Sequence, residues 1–220
     1  MLRTGLRTGL LGGSFNPAHR AHRAISLAAI SELGLDEVWW LVSPGNPLKS
    51  AEGMAPLAAR FAAARAMARR APIRVTAIER ELGTRYTIDT LRALERRFRR
   101  RRFVWLMGAD NLAQFDRWKD WRDIARTMPI AVFDRPGYHA QAVASPAAAW
   151  LRPHRVSAAS FKHSGEWSAP ALAYFDYDPD PISATALRRA DPDWASRVSV
   201  AALRDEVTRT PINPEETTAR

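Results

Sequence analysis

Gly12-Gly13-Ser14-Phe15-Asn16-Pro17-Ala18-His19-Arg20-Ala21-His22 follows a short apolar run, Leu10-Leu11, and precedes Ala24, Leu27, Ala28 and Ile30 at helical spacing. The segment therefore joins a buried strand end to a helix running from about His19 to Leu33. Glycines let a backbone approach a ligand closely, and a helix N-terminus offers unpaired N–H groups to an anion. His19 and His22 are three residues apart, so on a helix they share a face and can converge on one phosphate. The Gly-x-Gly-x-x-Gly dinucleotide pattern and the lysine-bearing Walker pattern are both absent. A tight turn with two surface histidines is the bland alternative, and it leaves the register of the two histidines unexplained.

Working outward, Glu37–Val42 (EVWWLV) forms a second strand and residues 56–70 an Ala-rich helix with Leu57, Phe61, Ala64 and Ala68 on one side. Ile73–Ile78 makes a third strand, and residues 87–99 carry Ile88, Leu91, Leu94 and Phe98 at helical spacing. Phe103–Met107 (FVWLM) is apolar throughout, as in a central parallel strand covered on both faces. A helix through Trp121 and Ile124 and a strand over Ile130–Phe133 follow. Strands alternating with helices predict an α/β fold with a doubly wound parallel sheet of order 3-2-1-4-5. Residues 134–170 are less regular, with prolines at 136, 146, 153 and 170, and a late strand is expected near 172–177. Helices from about Ser183 and about Val198 make a C-terminal helical extension. The expected organisation is one domain over 1–210 and a polar, disordered tail over 211–220.

The 220 residues are 46% hydrophobic and 25% charged, ordinary for a globular chain. The absence of cysteine excludes disulfides, thiolate metal sites and a cysteine nucleophile. No run approaches the about eighteen apolar residues of a membrane-spanning helix, and the first nine residues do not resemble a secretory signal. A soluble cytoplasmic protein is expected. The net charge of +10 invites a nucleic-acid reading, but it comes from 30 arginines and 3 lysines scattered along the chain, as a coding bias toward arginine would give. The dense cluster, Arg96, Arg97 and Arg99–Arg102, falls where the 87–99 helix ends and suits the negative end of a helix dipole. A solvated helix end is preferred there to a phosphate patch.

A second constellation lies late in the chain, Ile182-Ser183-Ala184-Thr185-Ala186-Leu187-Arg188. Ser183 is a natural N-cap; with Thr185 and Arg188 it also gives two hydroxyls, backbone donors and a guanidinium at one helix start. The two segments together resemble the nucleotidylyltransferase superfamily, whose members carry an early H-x-G-H and a late I-S-x-T-x-x-R. Pro44-Gly45-Asn46-Pro47-Leu48-Lys49 is similar to the P-x-N-P-x-K loop, and Tyr86-Thr87-Ile88-Asp89-Thr90-Leu91 to the Y-T-x-D-T-L segment of the nicotinate-nucleotide adenylyltransferases. Gly108-Ala109-Asp110 with Leu112, Phe115 and Trp118, and Arg135-Pro136-Gly137-Tyr138, resemble two more of that family's segments. Six matches in family order cover most of the chain. Ala21 stands where the family has glycine, which would narrow the space beside a triphosphate.

The resemblance implies a Rossmann-like fold and transfer of the adenylyl group of ATP to nicotinate mononucleotide, in NAD biosynthesis. It implies His19, His22 and Arg188 as catalytic groups, with Gly12, Gly13, Ser14, Phe15, Lys49, Gly108, Asp110, Ser183 and Thr185 binding ATP. Asn46, Thr87, Trp118 and Arg135 would bind nicotinate mononucleotide, Trp118 by stacking on the pyridine ring. Mg²⁺ would travel with ATP, with no protein metal cage. Asp110 is equally readable as a helix N-cap, Trp118 as a core residue, Arg135 as a turn-stabilising arginine, and His139, His154 and His163 as surface residues. The partners expected are the two small-molecule substrates, neither nucleic acid nor membrane, with a homo-oligomer possible. A nicotinamide or dual-specificity enzyme, and a basic nucleic-acid-binding protein without catalysis, are the rivals.

Overall fold

The computed structural model of the chain describes residues 5–45, 53–163, 167–176 and 182–213. The first half runs β1 (Leu6–Gly13), α1 (Arg20–Leu33), β2 (Glu37–Val42), α2 (Leu57–Ala68), β3 (Ile73–Thr76), α3 (Ile78–Leu82), α4 (Thr87–Arg97) and β4 (Arg101–Gly108). The second half runs α5 (Ala109–Leu112), α6 (Trp121–Thr127), β5 (Ile130–Phe133), α7 (His139–Val143), α8 (Pro146–Leu151), α9 (Ala158–His163), β6 (Leu172–Phe175) and α10 (Ala184–Ala190). The described strands form one sheet of order β3-β2-β1-β4-β5-β6, each neighbouring pair parallel. The expected order 3-2-1-4-5 holds, and the late strand extends it by one.

The apolar runs behave as buried parallel strands. β2 and β5 are buried at every residue. On one face Leu11, Trp40, Leu106 and Phe133 pack against Ala29 and Leu33 of α1, Phe61 of α2 and Phe161 of α9. On the other, Leu10, Trp39, Trp105 and Met107 pack against Ile88, Leu91 and Leu94 of α4 and Ile124 of α6. α1 stops at Gly34, whose φ of 63° suits a residue without a Cβ and whose N–H caps the Ile30 carbonyl. At Gly12 a Cβ would lie 2.5 Å from the Trp105 ring, so the glycine is required by packing across β1 and β4.

Several expectations are corrected. β3 ends at Thr76, because the chain turns into α3 there. Residues 134–163, expected only to be less regular, hold three short helices, α7 to α9. The helix expected from Val198 is not formed: a 3-10 turn over Trp194–Arg197 ends there.

The chain beyond it is fastened to the sheet edge. Asp205, 1% exposed, accepts from the Thr76 hydroxyl (2.9 Å) and the Ala77 N–H (2.7 Å), and from the Val207 and Thr208 N–H groups. Glu206 accepts from the Val75 N–H at 2.7 Å, and Ile212 is buried. The frayed tail expected from Pro211 therefore does not begin there, since Pro211 also offers its carbonyl to Arg80 at 2.9 Å.

Each Asp205 carboxylate oxygen faces two donors, and Asp205→Asn replaces one of those oxygens by an NH2 group that accepts from neither. Urea denaturation should show a loss of roughly 2–4 kcal/mol. An unchanged midpoint would mean that the carboxylate is not what fastens this segment.

Candidate active site

β1 has β2 on one side and β4 on the other, so the chain leaves their C-terminal ends in opposite directions and a crevice opens between. A cleft of about 720 Å³ lies there, lined by Gly12, Gly13, Ser14, Phe15, His19 and His22 from the β1–α1 segment and by Ser183, Thr185 and Arg188 from α10 and its cap. The two constellations, far apart in sequence, therefore meet. Arg188 fastens them, its Nη1 donating to the Asn16 carbonyl at 2.6 Å and its Nη2 to the Thr185 hydroxyl at 3.3 Å. Ser183 is the N-cap of α10, its hydroxyl accepting from the Ala186 N–H at 3.2 Å.

His19 is the N-cap residue of α1 and His22 the third residue inside it. The His19 N–H donates to His22 Nδ1 at 3.2 Å, and the ring centroids lie 3.8 Å apart. That bond makes Nδ1 the acceptor, so the proton of a neutral His22 sits on Nε2. Burial first, then His19 and Arg135, hold the His22 imidazole well below its usual pKa. His22 is therefore a neutral donor at pH 7. Beneath the loop, Phe15 takes φ 47° and turns its ring into the core, stacked on Trp40 at 5.1 Å. Its backbone, not its side chain, is what it offers the cleft. Ala21, the second residue of α1, is not among the residues that line the cleft.

The other half of the lining includes Tyr86, Thr87, Trp118, Lys119, Asp110 and Arg135. Trp118 stands half-buried with its ring edge-on to Trp105 (6.3 Å) and Phe115 (5.4 Å), while Trp121 is buried in the core. Of the two tryptophans, only Trp118 reaches the cleft. Lys119 lies 4.3 Å over the Tyr86 ring and 3.9 Å from Asp89. Asp110 is not an N-cap, a position taken by Gly108; its carboxylate holds Arg135 at 2.6 Å. Gly108 does not itself line the cleft, and a Cβ there would lie 2.5 Å from the Asp110 carboxylate. Arg135 is aimed by its turn: Asp134 accepts from the Arg135 N–H (2.8 Å) and the Tyr174 hydroxyl (3.0 Å) and pairs with the exposed His139 (2.8 Å). Asn46 and Lys49 lie outside the described residues.

The cytidylyltransferase-like family model matches residues 10–190. A protein of Erythrobacter litoralis, named a probable nicotinate-nucleotide adenylyltransferase, is 69% identical over 207 residues, 94% of each chain. The chain belongs to this adenylyltransferase family. A Parvibaculum lavamentivorans relative of the same name is 53% identical over 90% of this chain and 98% of its own. Among solved structures, nicotinic acid mononucleotide adenylyltransferase of Plasmodium falciparum complexed with NaAD superposes with a TM-score of 0.64 at 14% identity, covering 84% of this chain and 83% of that one. At that identity the likeness shows the fold alone.

Two residues of this adenylyltransferase escape sequence reasoning. Arg60, fully buried in α2, donates to the carbonyls of Ala55 (2.8 Å), Ser14 (2.7 Å), Ser43 (2.7 Å) and Pro44 (3.3 Å). Burial lowers its guanidinium to about 10, still charged at pH 7. An arginine in an Ala-rich helix reads as a solvent-facing residue, and nothing local marks it otherwise. Glu79 of α3 lines the cleft, and burial, opposed by the nearby Thr90 and Ser43 hydroxyls, raises its carboxyl to about 7.

Arg60→Met leaves four carbonyls without their donor and should cost roughly 2–4 kcal/mol in urea denaturation. ATP KM should rise as well, because the β1–α1 and β2 loops lose their tie; full retention of both values would refute the role. Glu79 gives a pH signature. Its folded pKa is raised from 4.5 to about 7, so its stabilising contribution is complete below 4.5 and is lost as pH rises through 7. Relative to Glu79→Gln, the wild-type thermal midpoint should fall between about pH 5 and 8. Parallel curves would contradict the shift.

Proposed function

We infer that this chain transfers the adenylyl group of ATP to nicotinate mononucleotide, giving nicotinate adenine dinucleotide and pyrophosphate. The observation that carries this function is the convergence of His19, His22 and Arg188 in one cleft with Thr87 and Trp118 on its far side. The names of the relatives support the same pair of substrates.

In the reaction a 5′-phosphate oxygen of the mononucleotide attacks the α-phosphorus of ATP. One P–O bond forms, the bond to the β-phosphate bridge breaks, and pyrophosphate leaves with the electron pair. Two polyanions must approach, so the protein chiefly positions them and offsets charge. The triphosphate is assigned to the β1–α1 segment, where the N-terminus of α1 and the neutral His22 donor face the phosphates. Arg188, with Ser183 and Thr185, closes on it from α10. A donor that does not have to lose a proton suits a reaction in which charge builds on phosphate oxygens.

The mononucleotide is assigned to the opposite half. Trp118 offers a ring face to the pyridine, and Arg135, aimed by Asp134 and held by Asp110, meets the 5′-phosphate. Thr87 and the N-terminus of α4 add polar contacts for the pyridine carboxylate. A magnesium ion carried on ATP fits this donor set. Asp110 is already engaged by Arg135, and the surrounding groups are donors that suit phosphate oxygens better than a metal. Such an ion would be held mostly by ATP oxygens and water, and would supply charge neutralisation on the triphosphate.

Pyrophosphate release should be rapid with Mg-ATP and nicotinate mononucleotide and slow with the nicotinamide form. No release with the nicotinate form would overturn the function. His22→Ala should lower turnover by about 10²–10³ without unfolding the chain. Trp118→Ala should raise the mononucleotide KM by about ten- to hundredfold while sparing that of ATP; equal effects on both would make Trp118 a core residue.

A further inference from the structure

Among the residues facing the cleft, cations predominate, and the two carboxyl groups differ in circumstance. Asp110 is gripped by Arg135 at 2.6 Å. Glu79 has no ion pair among the described residues. Its Oε1 instead faces the Thr90 hydroxyl of α4 at 3.4 Å, while the Ser43 side chain just after β2 lies nearby with its own proton given to the Gly45 carbonyl. That single Thr90 proton is shared with the Tyr86 carbonyl at 3.3 Å, and the Thr84 hydroxyl lies 2.8 Å from the Thr90 oxygen. Glu79 thus sits against the first turn of α4 through Thr90 and shares the cleft lining with Tyr86, Thr87 and Trp118.

A carboxyl withdrawn from water with no cation beside it is costly, and the shift of its pKa to about 7 records that cost. Phosphates and a pyridine carboxylate cannot relieve it, because they are acceptors and carry the same charge. A hydroxyl donor can, since a carboxylate has capacity for about four hydrogen bonds and, among the described residues, only a share of the Thr90 proton meets it here. The ribose of a nucleotide brings such donors as a diol.

We propose that Glu79 recognises the ribose of the mononucleotide by accepting a hydrogen bond from one of its hydroxyls. The carboxyl thereby selects a ribonucleotide on the Trp118 side, while the surrounding cations handle the charged ends of the same molecule. This assignment rests on the function inferred above and adds a specificity-determining residue to it.

The test is a cycle between protein and substrate. kcat/KM is measured for nicotinate mononucleotide and its 2′-deoxy and 3′-deoxy forms, and separately for ATP and deoxy-ATP, with wild type, Glu79→Gln and Glu79→Ala. Wild type should discriminate against one deoxy mononucleotide by about ten- to hundredfold. Glu79→Ala should lose a similar factor on the full substrate and little more on that deoxy form, with Glu79→Gln in between. The effect should appear in mononucleotide KM and leave ATP KM unchanged. Equal use of ribo and deoxy forms by wild type would overturn the proposal even if a variant failed to fold. So would undiminished discrimination by Glu79→Ala, or discrimination confined to deoxy-ATP. Wild type that releases no pyrophosphate from the full substrates would instead refute the function on which the proposal rests.

Discussion

One buried guanidinium holds the shape of the cleft. Arg60 reaches from α2 under the first loop and donates to carbonyls on three stretches of chain, at Ser14, at Ser43 and Pro44, and at Ala55. Each carbonyl terminates or flanks a segment that leaves the sheet, and none has a ladder partner to replace the arginine. Burying a charge without a carboxylate is expensive, and four carbonyl dipoles offset part of the cost. The return is positional. Ser14 and Ser43 begin the loops after β1 and β2, so the wall on that side of the switch point is fixed before a ligand arrives. A positive charge also remains beneath the loop assigned to the triphosphate.

The opposite wall is built by chains of polar contacts that end in the cleft. Asp134 gathers the Arg135 N–H, His139 and the Tyr174 hydroxyl, which brings β6 into the support of a residue facing ligand. Asp205 and Glu206 dock the C-terminal segment against Thr76, Ala77 and Val75, immediately before α3. That helix carries Glu79 into the cleft. Elements at both edges of the sheet thus act on its centre, and few of these ties are close in sequence.

The distinction between short-range and long-range causes explains what was legible in the sequence. Apolar runs such as Phe103–Met107 and helical spacing such as Ile88, Leu91 and Leu94 are local, and they yielded the sheet and its order. The His19 to His22 spacing was legible too, although the two rings meet as N-cap and third helical residue rather than on a continuous helix face. Arg60, Glu79 and Asp205 were not, because a buried polar residue looks like a surface one until its distant partners are known. The short helices α7 to α9 carry too few residues for periodicity to show. The helix expected from Val198 failed for a related reason: there the chain is shaped by its path to the sheet edge, not by its own propensity.

A crystal structure with nicotinate adenine dinucleotide bound tests the central claim most directly. The account predicts the pyridine ring on the face of Trp118, a phosphate at His22 and Arg188, and a ribose hydroxyl on Glu79. A second hollow, at the other end of the sheet and lined by Arg99, Arg100, Arg101 and Arg102, offers a different seat for an anion. A dinucleotide bound there, with the cleft between β1 and β4 empty, would contradict the account.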